Sequence, residues 1–377
     1  MTLRTVAVCA LAALTAAAPG AARAAGIKLV AVVAASGVQV PDEKPLRAYA
    51  SRPWPRWNLP PAALTAHGAQ LATALGVSYR AYYAHAGLFD ASGCNVDAYA
   101  YASALPAARA SAQVLLAGFA PGCTAVVDGA GAEPDAIFPP IAATAFASPA
   151  PLAPEDAAAL RDLDALLDCA SNACRRVASP QNLGVAADAV TALRSEYDDG
   201  LPGAHAGWGH LDLSLLRELT RLPVLRYQLE NRDASAARAT ASGLAVQLLD
   251  TLQQAASGKR SQTAHVPQRA RFALFVANAG YVAALGTLLG ASWTLPESPT
   301  DDVPPGGALV FELHEPDRRG GEAFVRTSFV AQPDDAMRRA GASPVVPVSR
   351  VPVRIAGCPS ADCPLHVFAA VARGSAG

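Results

Sequence analysis

The stretch Lys28-Leu29-Val30-Ala31-Val32-Val33-Ala34, followed by Ser36-Gly37, is the part of the sequence that decides the fold class. It is a short apolar run rich in β-branched valine, without the polar alternation of a half-exposed strand, and it predicts a strand buried on both faces. Such strands belong to parallel sheets that are covered by helices. The sequence therefore predicts an α/β protein with a mainly parallel sheet.

The segments that follow alternate between strand patterns and helix patterns. The predicted elements are helices at 62–83 and 104–118, strands at 96–102 and 124–128, and, later in the chain, strands at 271–277 and 308–313 around a helix at 281–289. Alternation at this spacing is typical of βαβ units. Two proline-rich stretches, 296–305 and 344–352, are predicted to be loops or edge segments.

The middle of the chain has a different character. Helical periodicity at 155–170, 182–197 and 211–229 comes with almost no strand pattern, and a further long helix is predicted at 234–256. We therefore expect four parts along the chain. They are a signal peptide at 1–25, a first part of the α/β core at 26–130, an inserted α-helical cap subdomain at 131–233, and a second part of the core at 234–377.

The N-terminal residues have the pattern of a secretory signal peptide. Arg4 supplies the positive charge, the apolar run follows from Val6 to Leu14, and Ala22-Arg23-Ala24 forms a small-residue cleavage site. That run is too short to cross about 30 Å of hydrocarbon, and no later segment offers a longer one. We expect a soluble exported protein, periplasmic or secreted, without a membrane span.

Composition excludes two classes of protein. Hydrophobic residues make up 52% of the chain and charged residues 16%, whereas about 25% charged is usual. Lys+Arg 30 against Asp+Glu 31 leaves a net charge of −1. Disorder requires low hydrophobicity and high net charge, and nucleic-acid binding requires a concentrated basic face. Neither class fits, so we expect no nucleic-acid partner.

Six cysteines remain once Cys9 of the signal peptide is set aside. An even number in an oxidising compartment favours disulfides, and fifteen pairings are possible. Proximity along the chain favours Cys94–Cys123, Cys169–Cys174 and Cys358–Cys363. The alternative is a metal site built from the two C-x4-C pairs, but structural zinc sites usually show closer cysteines and more histidine. We expect disulfides and no metal.

Common catalytic motifs are missing. Ser36 follows a strand as an esterase nucleophile would, but Ala34 and Val38 stand where G-x-S-x-G needs glycine. The sequence shows neither a complete dinucleotide fingerprint nor a phosphate loop. We expect no cofactor.

Short motifs spread over the whole chain resemble those of one family. They are Val32 to Pro41, Trp54-Pro55-Arg56-Trp57, Leu64-Thr65-Ala66-His67-Gly68, residues 118–123, Pro134-Asp135 with Phe138, Gly207-Trp208-Gly209, Arg238-Ala239-Thr240 and residues 293–312. From Lys28 to its end the chain resembles the two-domain histidine acid phosphatases of branch 2, specifically the bacterial periplasmic phytases and glucose-1-phosphatases. The resemblance implies a three-layer core like that of phosphoglycerate mutase with an inserted helical cap. It also implies cystines at Cys94–Cys123 and Cys358–Cys363.

The resemblance implies phosphomonoester hydrolysis through a phosphohistidine, with arginines that hold the phosphate and an H-D pair that completes the site. This chain departs from the family at each of those positions. In place of the R-H-G-x-R-x-P motif, the third arginine and the H-D pair it has Ala35, Ser36, Gln39, Ala107, Asn278 and Ala279. We therefore expect a catalytically degenerate, exported pseudophosphatase.

The expected ligand is a small polar or sugar-like molecule, or else a protein partner. The candidate ligand contacts are Ser36, Gln39, Lys44, Arg238 and Asn278. The alternative is an acid phosphatase or phytase-like hydrolase with residual or altered activity, for which Ser36 and His67 could form a nucleophile–base pair. No carboxylate that would orient His67 is evident from the sequence.

Overall fold

The computed structural model describes residues 26–89, 94, 97–123, 126–129, 135–141, 152–169, 174–202, 205–231, 234–316, 321–341 and 345–376. The predicted signal peptide at 1–25 lies outside these residues. So do parts of the predicted subdomain boundaries near residues 130 and 233.

One eight-stranded sheet forms the centre of the molecule. Its strands are β1 (Ile27–Ala35), β2 (Ala98–Ala102), β3 (Val127–Gly129), β4 (Phe272–Ala277), β5 (Ala308–His314), β6 (Phe324–Ala331), β7 (Ser349–Val353) and β8 (Asp362–Pro364). Their order is β3-β2-β4-β1-β5-β6-β7, with β8 paired to β6. The pairs β1–β4, β2–β4 and β2–β3 are parallel, whereas β5, β6, β7 and β8 pair antiparallel. The predicted α/β class is confirmed.

Ten helices surround this sheet within the described residues. They are α1 (Ala66–His85), α2 (Pro106–Phe119), α3 (Pro154–Leu167), α4 (Leu183–Asp198), α5 (Leu213–Leu219), α6 (Arg221–Glu230), α7 (Ala234–Ser257), α8 (Ala279–Leu288), α9 (Asp334–Arg339) and α10 (Leu365–Ala376). Helices α1 and α2 cover one face of the sheet, and α7, α8 and α10 cover the other. Helices α3 to α6 contain a separate apolar core of their own.

The side chains of β1 alternate between the two covered faces. Leu29, Ala31 and Val33 pack with α7 and α8, while Val30 and Val32 pack with α1 and α2. This two-sided burial explains why the strand is apolar throughout, as the sequence predicted. Strand β1 therefore lies at the centre of the sheet.

Several element boundaries differ from the predicted ones. Helix α1 begins at Ala66 instead of 62, because the Thr65 side chain caps it by accepting from the Gly68 N–H at 2.8 Å. The single helix predicted at 211–229 is wrong: α5 and α6 are separate helices that meet at Thr220. Pro223 lies in the first turn of α6, where the missing N–H costs no helical hydrogen bond. The elements β6, β8, α9 and α10 were not predicted.

The three disulfides predicted from the sequence are present. They join Cys94 to Cys123, Cys169 to Cys174, and Cys358 to Cys363. Three disulfides fit a protein that folds in an oxidising compartment.

Candidate functional site

A cavity opens where the carboxyl ends of β1 and β4 meet. Ala35 and Ala277 are paired in the parallel register, so the next residues, Ser36 and Asn278, emerge side by side. In open α/β sheets ligands bind at this edge. The empty space is about 700 Å³, including the part open to solvent. The lining residues are Ala35, Ser36, Gly37, Gln39, Val190, Thr191, Arg194, Ser195, Pro223, Val224, Tyr227, Asn278, Ala279, Asp302, Val303, Pro304 and Pro305.

Backbone hydrogen bonds hold Ser36 at the base of the cavity. Its N–H donates to the Ala277 carbonyl at 2.7 Å, and its carbonyl accepts from the Gly306 N–H at 3.0 Å. The next N–H, that of Gly37, donates to Ser111 Oγ on α2 at 2.9 Å. Among the described residues, the Ser36 hydroxyl has a single hydrogen bond, a long one of 3.5 Å that it donates to Gln39 Oε1. Ser36 is therefore firmly positioned, but its hydroxyl contacts an amide oxygen and not a general base.

Asn278 caps the N-terminus of helix α8. Its Oδ1 accepts from the Gly280 N–H at 2.9 Å. Its side-chain nitrogen has no partner among the described residues. Ala279 follows as the first residue of the helix. Asn278 and Ala279 thus present an amide and a methyl group to the cavity.

Arg194 is the cationic residue among the described residues that line the cavity. Its Nη1 and Nη2 donate to Asp302 at 2.8 and 3.0 Å, and its Nε and Nη2 donate to Asp334 at 2.7 and 3.0 Å. Asp198, on the same helix, has its Oδ2 3.8 Å from Arg194 Nε. All four side chains are buried. The guanidinium therefore already has two bidentate carboxylate partners.

The charge of this cluster opposes anion binding. Burial, and then the neighbouring carboxylate of Asp334, raise the pKa of Asp198 well above its usual range. Burial alone would lower the pKa of Arg194, but Asp302 and Asp334 raise it well above its usual value. One guanidinium faces three carboxyl groups, so the cluster offers no uncompensated positive charge beside the cavity.

His67 and Ala107 do not line the cavity. His67 Nε2 is 2.8 Å from the carbonyl oxygen of Met337, which can only accept, so Nε2 carries the proton and donates. The structure does not bring His67 together with Ser36 as the alternative hypothesis required. Ala107 is fully buried on α2, one helical turn before Ser111.

Two of the candidate ligand contacts lie elsewhere. Lys44 is exposed and lines a separate surface groove formed by residues between 40 and 61. Arg238 lies in the first turns of α7, where its Nε donates to the Ala234 carbonyl at 3.1 Å. The structure thus brings together Ser36, Gln39 and Asn278, but not Lys44 or Arg238.

Sequence reasoning missed the contribution of the helices α4 and α6. Thr191 and Ser195, one turn apart on α4, supply hydroxyl groups, and Tyr227 on α6 supplies a phenol. Burial raises the pKa of Tyr227 to about 12, so the phenol is neutral. The only available signal was the four-residue spacing that places Thr191 and Ser195 on one helix face.

The motif Gly207-Trp208-Gly209 links the helices to the loop after β1. All three residues have positive φ, at 53°, 55° and 85°. The Trp208 indole N–H donates to the Pro53 carbonyl at 2.8 Å, and its ring packs edge-on against Trp54 at 5.0 Å. The Gly207 N–H donates to Glu196 Oε2 at 2.9 Å. Glu196 on α4 therefore holds a left-handed turn that contacts this loop.

Comparisons with known proteins agree with this geometry. Residues 37–176 match the model of a family described as the histidine phosphatase superfamily (branch 2). The phytase AppA of Escherichia coli (strain K12) is 27% identical, over 88% of this chain and 87% of that protein. The chain is therefore similar to the branch 2 histidine phosphatases.

Solved structures of phytases share the fold. The Klebsiella sp ASR1 phytase superimposes with a TM-score of 0.75 at 25% identity, covering 93% of this chain and 98% of that one. The apo form of Hafnia alvei phytase superimposes with a TM-score of 0.77 at 21% identity, covering 96% and 98%. The architecture of this chain, a layered α/β core with additional helices, therefore matches that of phytases over nearly its whole length.

Neither a membrane helix nor a metal cluster is found among the described residues. No helix there combines the length and the apolar character that crossing a bilayer requires. The same residues contain no group of three or more His, Cys, Asp or Glu side chains placed to hold a metal ion.

Proposed function

We propose that this chain is a catalytically inactive relative of the branch 2 histidine phosphatases that binds a small, neutral, polar molecule in the cavity at the ends of β1 and β4. The observation that supports this best is the state of Arg194. Arg194 is the cation of the described cavity wall, and its guanidinium N–H groups already donate hydrogen bonds to Asp302 and Asp334. Without a free cation, the described wall of the cavity has no positive charge with which to hold a phosphate.

The side chains at the family's catalytic positions support inactivity. Phosphoryl transfer requires a nucleophile and cationic donors aimed at the spread charge of the phosphoryl group, and release of an alkoxide requires an acid. Ser36 has the hydroxyl but no base, because His67 is hydrogen-bonded elsewhere. Ala35, Ala107 and Ala279 supply methyl groups only. Phosphomonoester hydrolysis is so slow without catalysis that these losses together leave no route.

The wall of the cavity supports a neutral polar ligand. Gln39 and Asn278 offer side-chain nitrogens that have no partner among the described residues, and Ser195 and Tyr227 add hydroxyl groups. Apolar residues, among them Val224, alternate with these groups. A mostly apolar pocket with a few convergent hydrogen-bonding groups is the usual form of a small-molecule site. A hydroxylated compound such as a sugar or cyclic polyol fits that chemistry.

Export belongs to the same proposal. The signal-peptide pattern at 1–25 and the three disulfides both point to a protein that folds outside the cytoplasm. We expect a periplasmic or secreted binding protein.

The mature protein is expected to hydrolyse p-nitrophenyl phosphate no faster than enzyme-free buffer between pH 3 and 8, because nucleophile, acid and phosphate clamp are missing. Release of p-nitrophenol measures the rate. The comparison protein restores the family residues through six substitutions, Ala35→Arg, Ser36→His, Gln39→Arg, Ala107→Arg, Asn278→His and Ala279→Asp. Wild-type turnover that Ser36→Ala abolishes would show the chain to be a hydrolase with altered chemistry.

Binding is tested with uncharged sugars and cyclic polyols, using calorimetric titration. Gln39→Leu removes the hydrogen bonds of one wall at nearly constant volume, and we expect it to weaken binding on the order of tenfold. The matched control is Gln70→Leu, at an exposed position of α1. The ligand assignment fails if none of these compounds binds, or if Gln39→Leu behaves like Gln70→Leu.

A further inference from the structure

A cluster of cations lies at the end of the sheet opposite the cavity. We call it the basic face, and its members are Lys28, Lys259, Arg260, Arg269 and Arg271. Lys28 lies at the start of β1, and Arg271 directly precedes β4. Because β1 and β4 are parallel neighbours, both cations are at the amino end of the sheet.

Hydrogen bonds bring the remaining cations to the same end. Lys28 Nζ donates to the Ala256 carbonyl at 3.3 Å, near the end of α7. The side chain of Gln268 donates to the Gly258 carbonyl. The turn that contains Lys259 and Arg260 is therefore tied to the segment that contains Arg269 and Arg271. Five cations come from three separate parts of the chain.

The basic face surrounds a concave site. Its empty space is about 900 Å³, including the part open to solvent. The lining residues are Gly26, Ile27, Lys28, Gly87, Ala255, Gln268, Arg269, Ala270, Arg271 and Glu315. Three of them are cations and one is an acid. Lys28 and Arg271 are half-buried, so their positions are constrained by the neighbouring chain.

These cations lack the carboxylate partners that other arginines of the protein have. Arg194 contacts three acidic residues, and Arg226 contacts two. On the basic face only Arg269 has an acidic partner within the described part of the chain, namely Asp97 at 3.2 Å. The chain as a whole has a net charge of −1, so the excess of positive charge is local and not a consequence of composition.

We propose that the concave site of the basic face binds a phosphate group, as free phosphate or on a small phosphorylated molecule. Guanidinium groups present a planar fork of N–H donors that matches phosphate oxygens, and a lysine ammonium adds a mobile point charge. The site is independent of the proposed neutral ligand, because it shares no lining residue with the cavity at the carboxyl ends of the strands.

The test is calorimetric titration of the mature protein with inorganic phosphate at low ionic strength. We expect the double variant Lys28→Gln, Arg271→Gln to bind phosphate more weakly by on the order of tenfold or more. The control is Arg161→Gln, Arg175→Gln, which removes the same charge from an exposed position of α3 and from an exposed position between α3 and α4. It should change affinity less than about twofold, since screening weakens distant charges.

A second variant tests the proposal even if Lys28→Gln, Arg271→Gln does not fold. Lys259→Gln, Arg260→Gln changes only exposed side chains, and a loss of about threefold is expected from the reduced local charge. The proposal fails if phosphate does not bind, or if both basic-face variants match the control. A separate experiment measures binding of the wild-type protein to vesicles of phosphatidylglycerol. Binding of wild-type protein to these vesicles without binding of free phosphate would overturn the small-molecule site in favour of a lipid surface.

Discussion

Replacing Arg194 by methionine is expected to lower the free energy of unfolding by about 3–5 kcal/mol at pH 7, the range observed when one partner of a buried ion pair is removed. Asp302 and Asp334 would then be buried without a counter-charge, next to the buried carboxyl group of Asp198. Urea unfolding of the wild-type protein and the variant measures the difference. The expected loss is large because one substitution removes the partner of two buried carboxylates at once.

The stability loss of Arg194→Met should also depend on pH. Burial already raises the pKa of Asp302, and the positive charge of Arg194 opposes that increase, so removing the guanidinium raises the folded-state pKa of Asp302 further above the unfolded value. A raised carboxylate pKa contributes stability below the unfolded pKa, and that stability is lost as the pH rises. The loss in free energy of unfolding caused by Arg194→Met should therefore be smaller at pH 4 than at pH 7.

The matched control is Arg339→Met. Arg339 pairs with Asp335 four residues earlier on α9, but its side chain is exposed. We expect a cost below about 1 kcal/mol, as is usual for surface pairs. An equally small cost for Arg194→Met would mean that Asp302 and Asp334 find other partners, and it would remove the main argument against a free cation in the cavity.

Glu196→Gln is expected to flatten the pH profile of stability. Burial, which outweighs the hydrogen bond from the Gly207 N–H, raises the pKa of Glu196 to about 8, and Glu43 adds to the increase. The folded-state pKa is thus above the unfolded one. The resulting stability is fully present below about pH 4.5 and is lost as the pH rises through about 8, by up to about 5 kcal/mol.

Glutamine cannot titrate, so the variant should lose this part of the pH dependence. Its stability near pH 5 should be slightly lower than that of the wild-type protein, because a buried amide nitrogen replaces a carboxyl oxygen that has no partner. Urea unfolding from pH 4.5 to 9 measures both profiles. Glu218→Gln, at an exposed position of α5, is the control and should leave the slope unchanged. Parallel profiles for Glu196→Gln and the wild-type protein would contradict the prediction.

The parts of the cavity next to the strands were predictable from the sequence. The uninterrupted apolar run of β1 identifies a central strand, and the residues that follow β1 and β4 meet because parallel neighbours end at the same edge of a sheet. Counting from flanking glycines and tryptophans was therefore enough to select Ser36, Gln39 and Asn278. All three line the cavity.

The helical wall was not predictable in the same way. Arg194, Asp302 and Asp334 come from three distant segments, and their pairing depends on how α4 packs against the loop before β5 and the start of α9. No local pattern encodes such a contact. Lys44 and Arg238 show the opposite error, because closeness to a motif along the chain did not place them at the cavity. The antiparallel strand β6 also went unpredicted, since Arg326 interrupts its apolar pattern.

The position of β1 has a consequence for how the molecule folds. Both neighbours of this first strand, β4 and β5, belong to the last third of the chain. Closing such long loops is entropically costly, and proteins dominated by distant contacts fold slowly. Helices α3 to α6, which have an apolar core of their own, can assemble from nearby segments first. We expect refolding in at least two phases, with β1 and the binding cavity protected from hydrogen exchange only in the last one.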